Sequence, residues 1–271
     1  MNMTESSNKH TRYPVLKHCL DLCKFNTPSA FQTIIDIGVR YGTPFLMDVF
    51  PNAHHFLFEP VRSCHERIRS AYSEKSISFT LAPIGLGGET GRLYLHELSS
   101  DQSGKITHSD VSSSPIPNNS NCINVVDIQV STLDDYDFGP LHELSYCIKL
   151  DVDGIEEDII EGGRDTIRGA SFVILEASVQ RGNLLRRLQL MDGLGFRVFD
   201  ICDNAYYRGQ LSCLDLVFVN ENLRGRTLAY RPWEQTKGVV QWADWQQGYP
   251  ELETQPFDAS RWQVEPSSCR S

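Results

Sequence analysis

The sequence predicts an α/β protein with a doubly wound sheet. From Phe31 onward, short apolar runs alternate with segments of helical period, the texture of βα units. The first apolar run ends in a glycine-bearing turn, Ile34-Ile35-Asp36-Ile37-Gly38-Val39-Arg40-Tyr41-Gly42. The 271 residues are 40% hydrophobic and 22% charged, ordinary globular usage that sets aside disordered, collagenous and coiled-coil chains.

Residues 13–25 form the first element, a short amphipathic helix with Val15, Leu16, Cys19, Leu20 and Cys23 on one face, stopped by Asn26-Thr27-Pro28. Thr33–Ile37 is a buried strand and His55–Glu59 a second. Between them Pro44–Phe50 fits a short helix with proline in its first turn. Val61–Tyr72 reads as a helix, Ile77–Ala82 as the third strand, and Gly85–Gly91 as a turn leading into the alternating run Arg92–Leu98. Residues 99–121, rich in Ser, Asn and Pro, are the most loop-like part of the domain, and a loop of that length is usually a lid or a disordered segment. Strands follow at Ile123–Val130 and Tyr146–Asp151, then a helix over Ile155–Ile167, a strand at Phe172–Glu176 and a helix at Asn183–Leu194 ended by Gly195. Phe196–Ile201 and Leu214–Val219 close the sheet.

This reading divides the chain into an N-terminal helical extension (1–30), the α/β domain (31–224) and a C-terminal extension (225–271). All four tryptophans, Trp233, Trp242, Trp245 and Trp262, lie in that last segment. It is too poor in apolar residues to make its own core, so it is expected to lie across the domain, cover the active site or pack against a partner in a homodimer.

Lys plus Arg number 25 and Asp plus Glu 35, a net charge of −10. Such a chain has no field to gather phosphate backbones, so neither nucleic acid nor an anionic membrane is expected as partner. No apolar run approaches the ~20 residues a membrane helix needs. The polar start lacks the apolar core of an export signal, and eight scattered cysteines then read as reduced thiols in a cytoplasm. Cys19 and Cys23 are the close pair, one helical turn apart. Without a second pair or a histidine cluster at zinc spacing, no metal site is expected there. Residues 134–161 hold ten acids and one base, Lys149, and so carry −9 of the net charge. That acidity is expected around the reaction centre.

A strand running into a glycine turn brings backbone close to a nucleotide-like ligand. Here the spacing is GxxxG, Gly38 and Gly42 with Arg40 between, rather than GxGxxG, so a nucleoside without pyrophosphate fits better and a nicotinamide-dependent oxidoreductase is the lesser rival. Glu59, 23 residues after Asp36 at the end of the second strand, is placed to accept hydrogen bonds from both ribose hydroxyls. The third block is Lys149-Leu150-Asp151-Val152-Asp153-Gly154-Ile155-Glu156. In an extended strand end Asp151 and Asp153 point to one side, at the carboxyl edge where open α/β sheets bind ligands. Asp153 with Glu156 also reads as a capping box. Asp151 is the leading catalytic candidate.

Together with Phe58-Glu59-Pro60 and Ser131-Thr132-Leu133-Asp134-Asp135, these blocks resemble the FkbM-type family of S-adenosylmethionine-dependent methyltransferases, over roughly residues 31–220. The stretch Tyr206-Tyr207-Arg208-Gly209-Gln210-Leu211 is similar to the family's C-terminal strands. The resemblance implies a class I, Rossmann-like fold with a seven-stranded sheet whose last strand is antiparallel. It also implies S-adenosyl-L-methionine as cofactor, held at its methionine end by Asp36, Gly38 and Gly42, with Arg40 in the same turn, at its ribose by Glu59 and at its adenine near Ile84 and Gly85. Many members carry Ala-Asn where this chain has Val39-Arg40. The implied activity is methylation of a hydroxyl on a sugar, polyketide or similar metabolite, with Asp151, Asp153 or Glu156 as the catalytic acids. His96 and His108 are alternative bases, and Glu176, ending its strand, is a further substrate contact. A divalent ion bridging Asp151 and Asp153 lacks an evident third ligand. The rival from another class is a non-catalytic cofactor-binding or assembly subunit of the same fold.

Overall fold

The computed structural model describes residues 15–26, 31–99, 108–152, 154–179 and 183–223. The tryptophan-rich segment lies outside the described residues.

Helix α1 (Leu16–Asn26) precedes strand β1 (Thr33–Ile37), helix α2 (Pro44–Val49), strand β2 (His54–Phe58), helix α3 (His65–Glu74) and strand β3 (Phe79–Ala82). Strands β4 (Gly85–Leu86), β5 (Gly91–Leu98), β6 (His108–Ser112), β7 (Cys122–Ser131) and β8 (Tyr146–Leu150) follow. Helices α4 (Glu156–Glu161) and α5 (Arg164–Gly169), strand β9 (Phe172–Ser178), helix α6 (Leu184–Gly193) and strands β10 (Phe196–Tyr207) and β11 (Gln210–Asn220) complete the domain.

Seven strands form one sheet in the order β10-β11-β9-β8-β1-β2-β3. Strands β1, β2, β3, β8 and β9 pair in parallel, while β11 runs antiparallel to both β9 and β10. The expected seven strands with an antiparallel last one are therefore present. Parallel strands covered on both faces must be apolar throughout, and all five residues of β8 are buried. The core runs from Ile35, Ile37 and Phe58 through Ile148 and Leu150 to Val173, Leu216 and Phe218. The apolar face read for α1 is its buried face: Leu16, Cys19, Leu20 and Cys23 are fully buried. Among the described residues no helix is long and apolar enough to cross a membrane.

Three elements depart from the sequence reading. The loop-like stretch 99–121 contains β6, which pairs antiparallel with β5 in a second sheet of order β4-β7-β5-β6. Its Ser and Asp content masks a strand that cross-strand pairing stabilises. The single helix expected over Ile155–Ile167 is two, broken at Gly162-Gly163. There a Cβ on Gly162 would lie 2.4 Å from the Gly87 carbonyl oxygen and one on Gly163 2.7 Å from Leu133, so close packing demands the glycines that interrupt the helix. Finally, β10 and β11 extend well past their expected ends into a hairpin turned at Arg208 (φ 50°) and Gly209 (φ 77°), the pair of positive φ angles a two-residue type I′ turn requires.

Candidate active site

The site is built at the carboxyl ends of β1, β2 and β8. Strand β1 leaves the sheet through Gly38 (φ 85°), Arg40 (φ 51°) and Gly42 (φ 105°). Gly38 is required by crowding: a Cβ there would sit 1.9 Å from the carbonyl oxygen of Asp151, where the ends of β1 and β8 converge. Arg40 adopts a left-handed conformation that costs an L-residue roughly 1–2 kcal/mol. Asparagine tolerates it, which gives a physical reason for the Ala-Asn common at this place in the family it resembles. In that conformation the Arg40 backbone N–H donates to Glu59 Oε2 at 2.6 Å, and the N–H of Val61 donates to Oε1 at 2.8 Å. Burial pushes the Glu59 carboxyl up, and the two N–H groups work against that shift.

Glu59 faces a cavity of about 390 Å³, within the usual range for small-molecule sites. Gly38, Arg40 and Gly42 line it from β1, Ile84 and Gly85 from the segment after β3, and Lys149, Asp151 and Val152 from the end of β8. The second sheet closes the other side with Leu95, Ser109, Val111, Ile128 and Val130. The stretch read as a loop thus supplies part of the cavity wall through β6.

Asp36 does not line the cavity. It is fully buried beneath it, and its Oδ2 accepts a hydrogen bond from the Thr43 hydroxyl at 2.6 Å while Oδ1 has no partner. Burial raises its pKa, and the charge of nearby Lys149 counteracts. Lys149 escaped the sequence reading, although a lone cation inside the apolar run Tyr146–Leu150 was a visible signal. Its Nζ donates to Asp151 Oδ2 at 2.6 Å. Burial opposes the ammonium charge, but Asp151 and Asp36 outweigh it and hold Lys149 above its ordinary value. In return, and against its own burial, Asp151 is held below the usual carboxylate range by Lys149. The Asp151 side chain remains 40% exposed.

The other expected candidates separate. Glu156 is 1% exposed and away from the cavity, its Oε2 bound by Arg187 Nη2 at 2.5 Å and by the Gly154 N–H at 3.0 Å. This corrects its expected place in the reaction centre: a helix start that packs inward needed a partner for its acid, and Arg187 on α6 supplies one. His96 is buried on β5 with Nε2 2.9 Å from the Ser114 carbonyl oxygen, and it too is absent from the cavity lining. Glu176, expected to end its strand, lies inside β9, which runs two residues further because β11 pairs with it as far as Ser178; it is outside the lining but in side-chain contact with Asp151. Asp153 and the side chain of His108 lie outside the described residues. The acid-rich segment is likewise no continuous field around the cavity. Asp134 accepts from the N–H groups of Asp165 and Thr166 at the start of α5, and Glu161 pairs with Arg164. Among the described residues only Glu59 and Asp151 put carboxylates on the cavity.

A parallel sheet of this strand order with a cavity across the ends of β1, β2 and β8 defines a class I, Rossmann-like methyltransferase fold. Residues 36–198, more than half of the chain, match the Methyltransferase FkbM domain family, and the chain belongs to it. No curated protein sequence matches. Among solved structures, the chain is similar to methyltransferase FkbM from Methylobacillus flagellatus KT, at 18% identity and a TM-score of 0.44 over 69% of this chain. It spans 44% of that protein's length. It is also similar to the N-methyltransferase NodS from Bradyrhizobium japonicum WM9 in complex with S-adenosyl-L-homocysteine, at 8% identity and a TM-score of 0.41 over 75% of this chain and 86% of that one. The precorrin-6y C5,15-methyltransferase from Geobacter metallireducens GS-15 gives 14% identity and a TM-score of 0.39, with 75% and 86% covered.

Proposed function

We propose that the protein is an S-adenosyl-L-methionine-dependent methyltransferase that methylates a hydroxyl of a sugar, polyketide or other small metabolite. One observation carries this reading. Two carboxylates share one cavity on either side of the β1 turn, Glu59 held by two backbone N–H groups and Asp151 held by a buried lysine. Strands β2 and β8 both neighbour β1, so their ends are about 10 Å apart by ordinary strand spacing. A nucleoside bearing a short side chain fits that gap.

The donor set suits the cofactor. Each Glu59 oxygen spends one lone pair on a backbone N–H and keeps another for a ribose hydroxyl. The apolar wall from Ile84 to Val130 takes the adenine, and among the described residues no cluster of cations on the cavity asks for a pyrophosphate. The bound cofactor supplies a methyl group already activated by a cationic sulfonium. The chain must then position an acceptor oxygen and remove its proton. Asp151, ionised and partly exposed on the cavity, accepts that proton, and its charge also favours a neighbouring cation. Lys149 keeps Asp151 ionised. Asp36 acts from below as a positioning residue, holding Thr43 and balancing Lys149.

Isothermal calorimetry with S-adenosylmethionine and its demethylated product tests the cofactor. Glu59→Ala is expected to weaken both by about 10²–10⁴-fold, the loss of two hydrogen bonds to a charged group; unchanged affinity overturns the assignment. Conversion of cofactor in the presence of a panel of hydroxylated sugars and polyketides tests the acceptor. Turnover with amines alone overturns the hydroxyl.

A further inference from the structure

Away from the cavity, the fold assembles a second set of chemically active side chains. Cys19 and Cys23 lie one turn apart on α1, and Asp200 and Cys202 lie two apart on β10, on one face of that strand. Helix α1 packs on β10, and the Leu16 N–H donates to Asp203 Oδ1 at 3.4 Å. The Sγ atoms of Cys19 and Cys202 and a carboxylate oxygen of Asp200 all lie within 4.8 Å of one another. Cys23 makes a side-chain contact with Cys19. All three cysteines are fully buried and reduced.

We propose that Cys19, Cys23, Asp200 and Cys202 form a zinc(II) site that clamps α1 to the edge strand of the sheet. Three thiols and one carboxylate make a four-donor set of the type tetrahedral zinc takes, and soft sulfur donors disfavour magnesium or calcium. Zinc–sulfur bonds of about 2.3 Å at tetrahedral angles place ligand atoms roughly 3.8 Å apart, so the grouping of Cys19, Asp200 and Cys202 needs only a small contraction, while Cys23, which lies outside that grouping and contacts Cys19, must turn in to complete the set. The Asp200 carboxylate accepts from the Ile201 N–H at 2.8 Å and also sits against two buried sulfurs. With all four positions supplied by protein, the site is closed and serves the fold rather than the methyl transfer. It also explains why two pairs that look unrelated in sequence meet: the clamp joins residues 19 and 23 to residues 200 and 202.

The test uses the full chain, purified reduced and metal-free and then titrated with cobalt(II) followed by zinc(II). One equivalent of cobalt is expected to give the intense thiolate charge-transfer absorption and the visible bands of a tetrahedral site, with proton release, and zinc should displace it. Cys202→Ser should lose this signal, Asp200→Asn should weaken zinc by about 10-fold or more, and Cys122→Ser should match the wild type. Zinc should raise the thermal midpoint of the wild type and not that of Cys202→Ser. No metal uptake by the folded wild type overturns the proposal, as does uptake that survives Cys19→Ser and Cys202→Ser, or a Cys19–Cys202 disulfide in the unreduced protein. The wild-type spectrum alone decides the matter if the variants fail to fold.

Discussion

Asp151 and Glu156 leave the same strand five residues apart and meet opposite surroundings. Asp151 keeps 40% of its side chain exposed on the cavity and shares its charge with one lysine. Glu156 is sealed with Arg187, both side chains 2% exposed, and Glu157 contacts the same guanidinium at 3.0 Å. A carboxylate that reaches a cavity can exchange a proton with a ligand. One locked to a buried guanidinium can only hold elements together, because removing either partner leaves an uncompensated charge in a medium of low polarity. The two acids of one motif therefore stand in different settings, one on the cavity and one within the packing.

The largest effect is expected at the sealed pair. Arg187→Met should cost about 3–5 kcal/mol of stability by urea denaturation, with part recovered by adding Glu156→Gln. A loss under about 1 kcal/mol would break the contrast. Asp151→Asn should cost less stability than that, because Asp36 still faces the buried Lys149, and reduce turnover by about 10²–10⁴-fold, with the affinity for demethylated cofactor kept. Undiminished turnover would place the base elsewhere.

Lys149→Met sharpens the same comparison through pH. Lys149 holds Asp151 below the usual range although burial pulls the other way. Without it Asp151 takes up its proton at higher pH, so the acid limb of kcat/KM should move upward by about 1–3 units. A limb that stays put would mean the profile reports another group. The smallest effect concerns Asp215 on β11, whose carboxyl burial pushes up to about 7. The folded state then binds its proton more tightly than the unfolded chain, so stability falls as pH rises from the ordinary carboxylate range through about 7. Asp215→Asn should raise the thermal midpoint at pH 8 and change little at about pH 3, where both states mostly carry the proton.

Glu59 and the glycine turn were legible because each is a local demand: a strand end, a tight turn and an acid one βα unit later. Lys149 was legible as an oddity in an apolar run, but its partners Asp36 and Asp151 are set by the pairing of β1 with β8. Arg187 carried no signal, since an arginine in an amphipathic helix is ordinarily solvated and only packing of α6 over α4 turns it inward. The His96 ring was equally ambiguous until the turn at Ser114 accounted for it. Strand β6 went unread because its residues have weak strand preference and depend on β5 for pairing.

The sequence by itself determined most of the order of strands and helices, the glycine turn, the acid at the end of β2 and the resemblance to the family, because periodicity, turn chemistry and motif spacing are properties of neighbouring residues. The tertiary structure alone decided which acids reach the cavity, that Asp36 lies beneath it, and that Cys19 meets Asp200 and Cys202. Burial and charge pairing join residues far apart in the chain, and no spacing rule records those distances.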